Sequence, residues 1–162
     1  MLKIAIVGAT GIVGQQAIVS LIGHPWFKIT KLVASERSAA KKYREALKDA
    51  NGSSRWWCTE ELPEDIANMV VEEAASFDAT SVDIIFSTMD AGAAKELEPK
   101  YAKTTPVIST ASAFRYEDDT PILVGGQIWI MRRCFPFSRK SAAGRDLFLQ
   151  NLIARSPVWL FL

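Results

Sequence analysis

The stretch Lys3-Ile-Ala-Ile-Val-Gly-Ala-Thr-Gly-Ile-Val-Gly14 decides the reading of this chain. Lys3 to Val7 is a short, almost wholly apolar run with β-branched residues, the pattern of a strand buried on both faces in a parallel sheet. Helical periodicity begins immediately after it. Ile12, Val13, Ala17, Ile18 and Leu21 recur at three-to-four spacing, and Gly23 with Pro25 closes the segment. A second β-branched run, Ile29 to Ala34, completes a right-handed βαβ unit. Between the first strand and the helix stand Gly8, Gly11 and Gly14 at three-residue spacing. Gly8 permits a tight exit from the strand, Gly11 lets a pyrophosphate approach backbone amides at the helix N-terminus, and Gly14 permits close helix-on-strand packing. Thr10 adds a hydroxyl donor. A glycine-rich turn without a ligand is the bland alternative, which the strand-turn-helix context disfavours.

Working outward, Ser38 to Asp49 is polar and helix-favouring, Asn51 to Ser54 is a turn, Arg55 to Thr59 reads as a short strand, and Leu62 to Asp65 as an entry into helix. Val82 to Ser87 is a clearer buried strand, Gly92 to Lys103 a helix interrupted at Pro99, and Pro106 to Ser109 another short strand. The alternation predicts an α/β fold: a Rossmann-like parallel sheet with flanking helices.

Cofactor choice in such a unit is written just after the second strand, where sites for NAD carry an acid toward the ribose 2′-hydroxyl. Here the strand runs out as Val33-Ala-Ser-Glu-Arg-Ser38, with Lys41 and Lys42 a turn later. Small hydroxyls and a guanidinium suit a 2′-phosphate, because arginine meets it with a charge-assisted fork. NADP is therefore expected over NAD, with Glu36 dissenting. Lys41 and Lys42 read equally well as a solvated helix face.

The 162 residues are 49% hydrophobic and 23% charged, with mean hydropathy +0.08, a globular composition. The net charge of +1 conceals a division. Residues 1–127 carry 13 basic and 17 acidic side chains, whereas the last 35 residues carry six basic and one acidic. No run approaches the roughly 18 apolar residues of a membrane span, and the start lacks the features of a secretory signal, so a cytoplasmic protein without membrane or nucleic-acid partners is expected. Cys58 and Cys134 lack disulfide or zinc spacing and read as free thiols; no metal site is expected. His24, the only histidine, reads as a packing or capping residue, Trp56 and Trp57 as packing residues, and Glu117 to Asp119 as an acidic turn.

Four segments together resemble aspartate-semialdehyde dehydrogenase of the archaeal and fungal type: Gly8 to Gly14, Ala34-Ser-Glu-Arg-Ser-Ala-Ala-Lys-Lys-Tyr43, Asp83-Ile-Ile-Phe-Ser87, and Ser109-Thr-Ala-Ser-Ala-Phe-Arg115 through Pro121. The likeness covers roughly residues 1–124. It implies an oxidoreductase of lysine, threonine and methionine biosynthesis that uses NADPH to reduce 4-aspartyl phosphate through a cysteine thioester, with a histidine as acid and base. It further implies that Thr10, Gly11, Ile12 and Val13 line the pyrophosphate, that Ser35, Arg37 and Ser38 surround the 2′-phosphate, that Ser87 lies beside the cofactor, and that Arg115 holds the substrate's phosphate. The parent enzymes act on a small molecule and are homo-oligomers. Thr110 replaces the asparagine usual in the family's Ser-Asn-Ala-Ser segment.

The resemblance implies a later Pro-Asn-Cys-Ser/Thr motif, and neither cysteine lies in one, so no catalytic residue is assigned and the chain by itself is expected to be inactive. The expected organisation is an NADP-binding domain over 1–125, a truncated form of the parent fold, followed by an irregular tail over 126–162. Back-translation suggests why the tail departs. Read one base earlier, the codons of Gln127 to Arg133 permit Asn-Met-Asp-His-Ala-Pro-Leu, and those of Phe148 to Ser156 permit Ser-Pro-Lys-Pro-Asn-Cys-Ser-Ile-Thr, which contains the missing motif. The tail is thus expected to be out-of-frame sequence. A basic interaction segment, with Trp129, Phe135, Phe137 and Trp159, is the competing reading, and it lacks a helical moment or clustered lysines.

Three other readings compete for the whole chain. A short-chain reductase needs a tyrosine with lysine four residues on, and Tyr43, Tyr101 and Tyr116 are followed there by Leu47, Thr105 and Thr120. A non-catalytic dinucleotide-binding module and a related acyl-phosphate or acyl-CoA reductase remain open, N-acetyl-glutamyl-phosphate and malonyl-CoA reductases among the latter.

Overall fold

A computed structural model of the chain describes residues 1–117 and the strand Phe148–Gln150. Its elements are β1 (Leu2–Val7), α1 (Ile12–Leu21), β2 (Phe27–Ala34), α2 (Tyr43–Ala46), α3 (Glu64–Ala67), β3 (Val71–Glu73), β4 (Ile84–Ser87), α4 (Ala91–Ala102), β5 (Val107–Ser109) and β6 (Phe148–Gln150). The strands form one parallel sheet in the order β3-β2-β1-β4-β5-β6. β1 lies in the middle, and the chain runs outward from it first to β2 and β3, then returns to β4 on the other side. The gap between the carboxyl ends of β1 and β4 is therefore the topological switch point, where open α/β sheets bind ligands.

β1 is buried on both faces because its side chains alternate between two apolar layers. Ile4 and Ile6 pack with Ile18 and Leu21 of α1, Leu32 and Tyr43. Ala5 and Val7 pack on the opposite face with Ile85, Val107, Phe77 and Tyr101. Each large side chain so buried contributes roughly 1.5–3 kcal/mol of transfer free energy.

The structure departs from the sequence reading at five places. The helix predicted within Ser38 to Asp49 is only the four residues of α2, preceded by a 3-10 turn over Glu36–Ser38. Backbone pairing wins over helix propensity there: the Ala40 amide donates to the Val71 carbonyl, that of Val71 to Lys41, and that of Tyr43 to Met69. Arg55 to Thr59 forms no strand. β3 is a strand that the apolar pattern misses, since Val71-Glu-Glu73 offers a single buried apolar residue; its acids suit an edge of the described sheet. α4 runs through Pro99 without interruption, because the turn beyond it buries Tyr101 and Ala102 in the core. The expected irregular tail contains β6, which continues the sheet beside β5.

Among the described residues no helix is long and apolar enough to cross a membrane, and no group of three or more His, Cys, Asp or Glu side chains could hold a metal ion. Cys58 is a half-buried free thiol whose pKa is pushed up, first by burial and then by Glu60. His24 stacks on Phe27 with ring centroids 4.7 Å apart and packs edge-on to Trp26. Trp56 packs against the core and edge-on to Tyr43, while Trp57 is exposed. Cys134, Asp118 and Asp119 lie outside the described residues.

Candidate functional site

The glycine turn is built by backbone contacts that exclude side chains. Gly8 leaves β1 with φ +84°, a conformation that side-chain-bearing residues rarely adopt, and a Cβ there would stand 2.8–2.9 Å from Thr88. A Cβ on Gly14 would stand 2.4 Å from the Gly8 carbonyl oxygen and 2.8 Å from the Ala9 Cα. The helix thus rests directly on the strand exit. Gly11 is the N-cap of α1 and offers no side-chain cap, and the first turn holds no acid. Among the described residues nothing accepts from the amides of Ile12, Val13 or Gly14. These orphan donors, at the positive end of a ten-residue helix, form a place for an anion. Ile12 and Val13 present apolar side chains to solvent beside them, 61% and 51% exposed.

The end of β2 is tied to the same turn. The Val33 carbonyl accepts from the amides of Gly8 (2.9 Å) and Ala9 (3.1 Å), so the Ser35–Ser38 turn begins two residues from the glycine loop's anchor. Ser35 and Arg37 are exposed, whereas Ser38 is only 4% exposed, its amide donating to the Ser35 carbonyl. Lys41 folds back and donates from Nζ to the Arg37 carbonyl at 2.9 Å, holding a second positive charge at this turn. Lys42 forms an isolated bridge with Val70 through its backbone.

On the other side of β1, Val7 pairs with Ser87, and Thr88 donates to the Val7 carbonyl from both its amide and its hydroxyl, each at 2.8 Å. Ser87 is fully buried. Beside it lies a polar cluster that sequence reasoning missed. Glu98 of α4 is buried, and its Oε1 accepts from the Ser109 hydroxyl at 2.6 Å. Burial raises its pKa, while the hydroxyls of Ser109 and Ser87 act in the opposite direction. Ser87 Oγ and Glu98 Oε2 nevertheless lack a partner of hydrogen-bond geometry among the described residues. A charged residue within a helical segment reads as surface, so no sequence signal marked Glu98.

The segment from Ser109 to Arg115 is attached to this cluster. The Ser109 hydroxyl accepts from the Ala111 amide (3.1 Å), and the Thr110 amide donates to the Ser87 carbonyl (3.0 Å). Arg115 is half-buried in the turn that follows, its amide donating to the Ser112 carbonyl. The structure therefore brings the glycine turn, Ser35, Arg37 and Ser87 to the carboxyl ends of three adjacent strands, and carries Arg115 on the loop after the fourth.

The chain matches a family described as "Semialdehyde dehydrogenase, NAD binding domain" over residues 3–126. It is 40% identical over 124 residues to an aspartate-semialdehyde dehydrogenase of Methanothermobacter thermautotrophicus, covering 76% of this chain and 34% of that protein. It is 36% identical over 124 residues to a malonyl CoA reductase (NADP) of Metallosphaera sedula, covering 76% of this chain and 32% of that one. Among solved structures, aspartate semialdehyde dehydrogenase with NADP from Candida albicans superposes with TM-score 0.75 at 32% identity, covering 93% of this chain and 42% of that chain. The chain thus spans about a third of the length of these curated relatives. The glycine turn on its βαβ unit, the switch-point crevice and these likenesses agree on a nicotinamide dinucleotide as cofactor, and the chain belongs to the semialdehyde dehydrogenase NAD-binding domain family.

Proposed function

We propose that this chain is the NADP-binding part of an aspartate-semialdehyde dehydrogenase. The observation that carries the reading is the meeting of an uncapped glycine-rich helix start with an exposed hydroxyl and guanidinium, Ser35 and Arg37, at the end of β2. The cradle fits the group: Gly8 and Gly14 leave no room for side chains, and the open amides of Ile12, Val13 and Gly14 suit a pyrophosphate. Thr10 and Gly11 belong to the same cradle. Ser35 and Arg37 hold the 2′-phosphate, with Lys41 adding charge through its bond to the Arg37 carbonyl. Ser38, being nearly buried, acts chiefly by closing the turn that presents them. Ser87, at the end of β4, would lie beside the cofactor.

When bound, NADPH supplies hydride. Arg115 binds the phosphate of the acyl phosphate substrate, here 4-aspartyl phosphate. The 162 residues contain no Pro-Asn-Cys-Ser/Thr motif, so no nucleophile is assigned, and the chain binds cofactor without turning substrate over. The 36% identity to a malonyl CoA reductase supports a related acyl-CoA reductase as the second reading.

Residues 126–162 are proposed to be an out-of-frame tail. The family match ends at residue 126, where the charge balance also changes. Sequencing the coding DNA tests this, and an early stop in the alternative frame, or no cysteine codon opposite Ile153, would end it. For the cofactor, calorimetric titration should give tighter binding of NADPH than NADH, with most of the difference lost in Arg37→Ala. Equal affinities in the unmodified chain would refute the NADP assignment.

A further inference from the structure

Two buried side chains that are not glycines hold the glycine turn in shape. A loop that binds an anion must direct its amides toward the ligand and its carbonyl oxygens, which repel anions, away from it. Every carbonyl from Gly8 to Gly11 is engaged by a donor of the protein. That of Gly8 accepts from the Gly11 amide at 3.0 Å and that of Gly11 from the Gln15 amide at 3.0 Å. The two between them are taken by side chains. The Tyr43 hydroxyl, from α2, donates to the Ala9 carbonyl at 2.6 Å. Gln15 Nε2, from α1, donates to the Thr10 carbonyl at 3.2 Å.

Both groups are fully buried, and neither has a donor to spare. Gln15 Nε2 also donates to the Arg55 carbonyl at 2.8 Å, and its Oε1 accepts from the Trp57 amide at 2.8 Å. One amide thereby fastens the phosphate turn to the irregular segment over 55–57. With an ordinary pKa of 10.0 the Tyr43 hydroxyl is protonated, and burial, then Cys58, raises that value further, so it remains a donor.

We infer that Tyr43 and Gln15 are positioning residues for the cofactor's pyrophosphate, holding the Ala9 and Thr10 carbonyls so that the amides at the start of α1 face the ligand. The inference rests on the NADP reading of the site. It goes beyond it in assigning affinity to two side chains buried behind the turn. A preorganised turn binds without first reorienting its peptides; a turn freed at either carbonyl must be ordered on binding.

The test uses the full 162-residue chain and two ligands in calorimetric titration: NADP, which carries a pyrophosphate, and adenosine 2′-monophosphate, which carries only the 2′-phosphate. Tyr43→Phe removes one hydroxyl and keeps the ring in the core. It should weaken NADP about tenfold and change adenosine 2′-monophosphate less than about twofold. Gln15→Glu keeps the acceptor for Trp57 but turns an oxygen toward Thr10, and should weaken NADP further. If Gln15→Glu fails to fold, Tyr43→Phe decides alone. Equal loss for both ligands means a merely structural tyrosine, no loss for NADP means a turn that needs no fastening, and either result overturns the inference. Failure of the unmodified chain to bind either ligand would instead remove the NADP reading, and this inference with it.

Discussion

Replacing Gly14 with alanine is the sharpest single perturbation the structure offers. The added methyl carbon would lie 2.4 Å from the Gly8 carbonyl oxygen, 2.8 Å from the Ala9 Cα and 3.0 Å from the Gly8 carbonyl carbon. All three are backbone atoms in the strand exit, so no side chain can swing aside. Relief requires α1 to move off β1 by about an ångström, judged against carbon contacts of about 3.5–4.0 Å. That movement loosens Ile18 and Leu21 against Ile4 and Ile6, and lengthens the Gln15 contact to Thr10. Overpacking of this kind costs about 1–3 kcal/mol, with backbone obstruction placing Gly14 at or beyond the upper end, against a helix-propensity gain for alanine of about 1 kcal/mol. A net loss of about 2 kcal/mol is expected, read as a lower midpoint in urea denaturation of the full chain at unchanged slope. Gly11→Ala is the internal comparison. Its Cβ meets only the Gly8 oxygen, at 3.3 Å, so a few tenths of an ångström suffice and its cost should be well under half that of Gly14→Ala. Equal midpoints for Gly14→Ala and the unmodified chain would show that helix and strand do not approach as closely as described.

Three further outcomes are expected. Ala40 holds φ +60°, where a Cβ costs roughly 1–2 kcal/mol, so Ala40→Gly should raise stability by up to about 1 kcal/mol after the entropic penalty of glycine, read as a higher urea midpoint. Asp90 caps α4 by accepting from the amides of Gly92 (3.0 Å) and Ala93 (3.1 Å), and Asp90→Ala should cost about 1 kcal/mol in the same assay. Glu98 binds its proton more tightly when folded than when unfolded, chiefly through burial. The stability it contributes is complete below its ordinary pKa of 4.5 and is lost as pH rises through the raised folded value, so Glu98→Gln should lose less stability, or gain more, at pH 8 than at pH 4. A pH-independent difference between the two proteins would contradict a proton held on Glu98.

Much of the fold is legible in residues whose roles are local. β1 is readable because both of its faces are buried, which forces the unbroken run from Ile4 to Val7. The glycine turn is readable because Gly8 and Gly14 answer backbone constraints that no other residue meets. The errors fall where partners distant in sequence decide. Lys42 and Val70 pair across 28 positions and dismantle a helix that propensity favours. β3 is held by β2, not by its own Val71-Glu-Glu73, whose two acids argue against a strand. Pro99 should stop α4, yet the burial of Glu98 and Tyr101 on either side outweighs the missing amide. Gln15 and Glu98 carry polar labels into the core, and only their partners at Thr10, Arg55, Trp57 and Ser109 explain them.

On the proposed NADP reading, affinity and selectivity are separated in this site. The anion cradle consists of main-chain amides fixed by glycines, by Val33 and by two buried donors, so altering it disturbs the core that the fold depends on. The groups at the end of β2 are different. Ser35, Glu36 and Arg37 stand in solvent, and exchanging surface residues of this kind costs within about half a kcal/mol of stability. Removing the guanidinium, and making the last acid the dominant charge, should shift preference from NADP toward NAD without loosening the sheet. The same division explains the sequence signal: the rigid half of the site is written in glycines that can be recognised on sight, and the selective half in exposed side chains whose meaning depends on the strand end they follow.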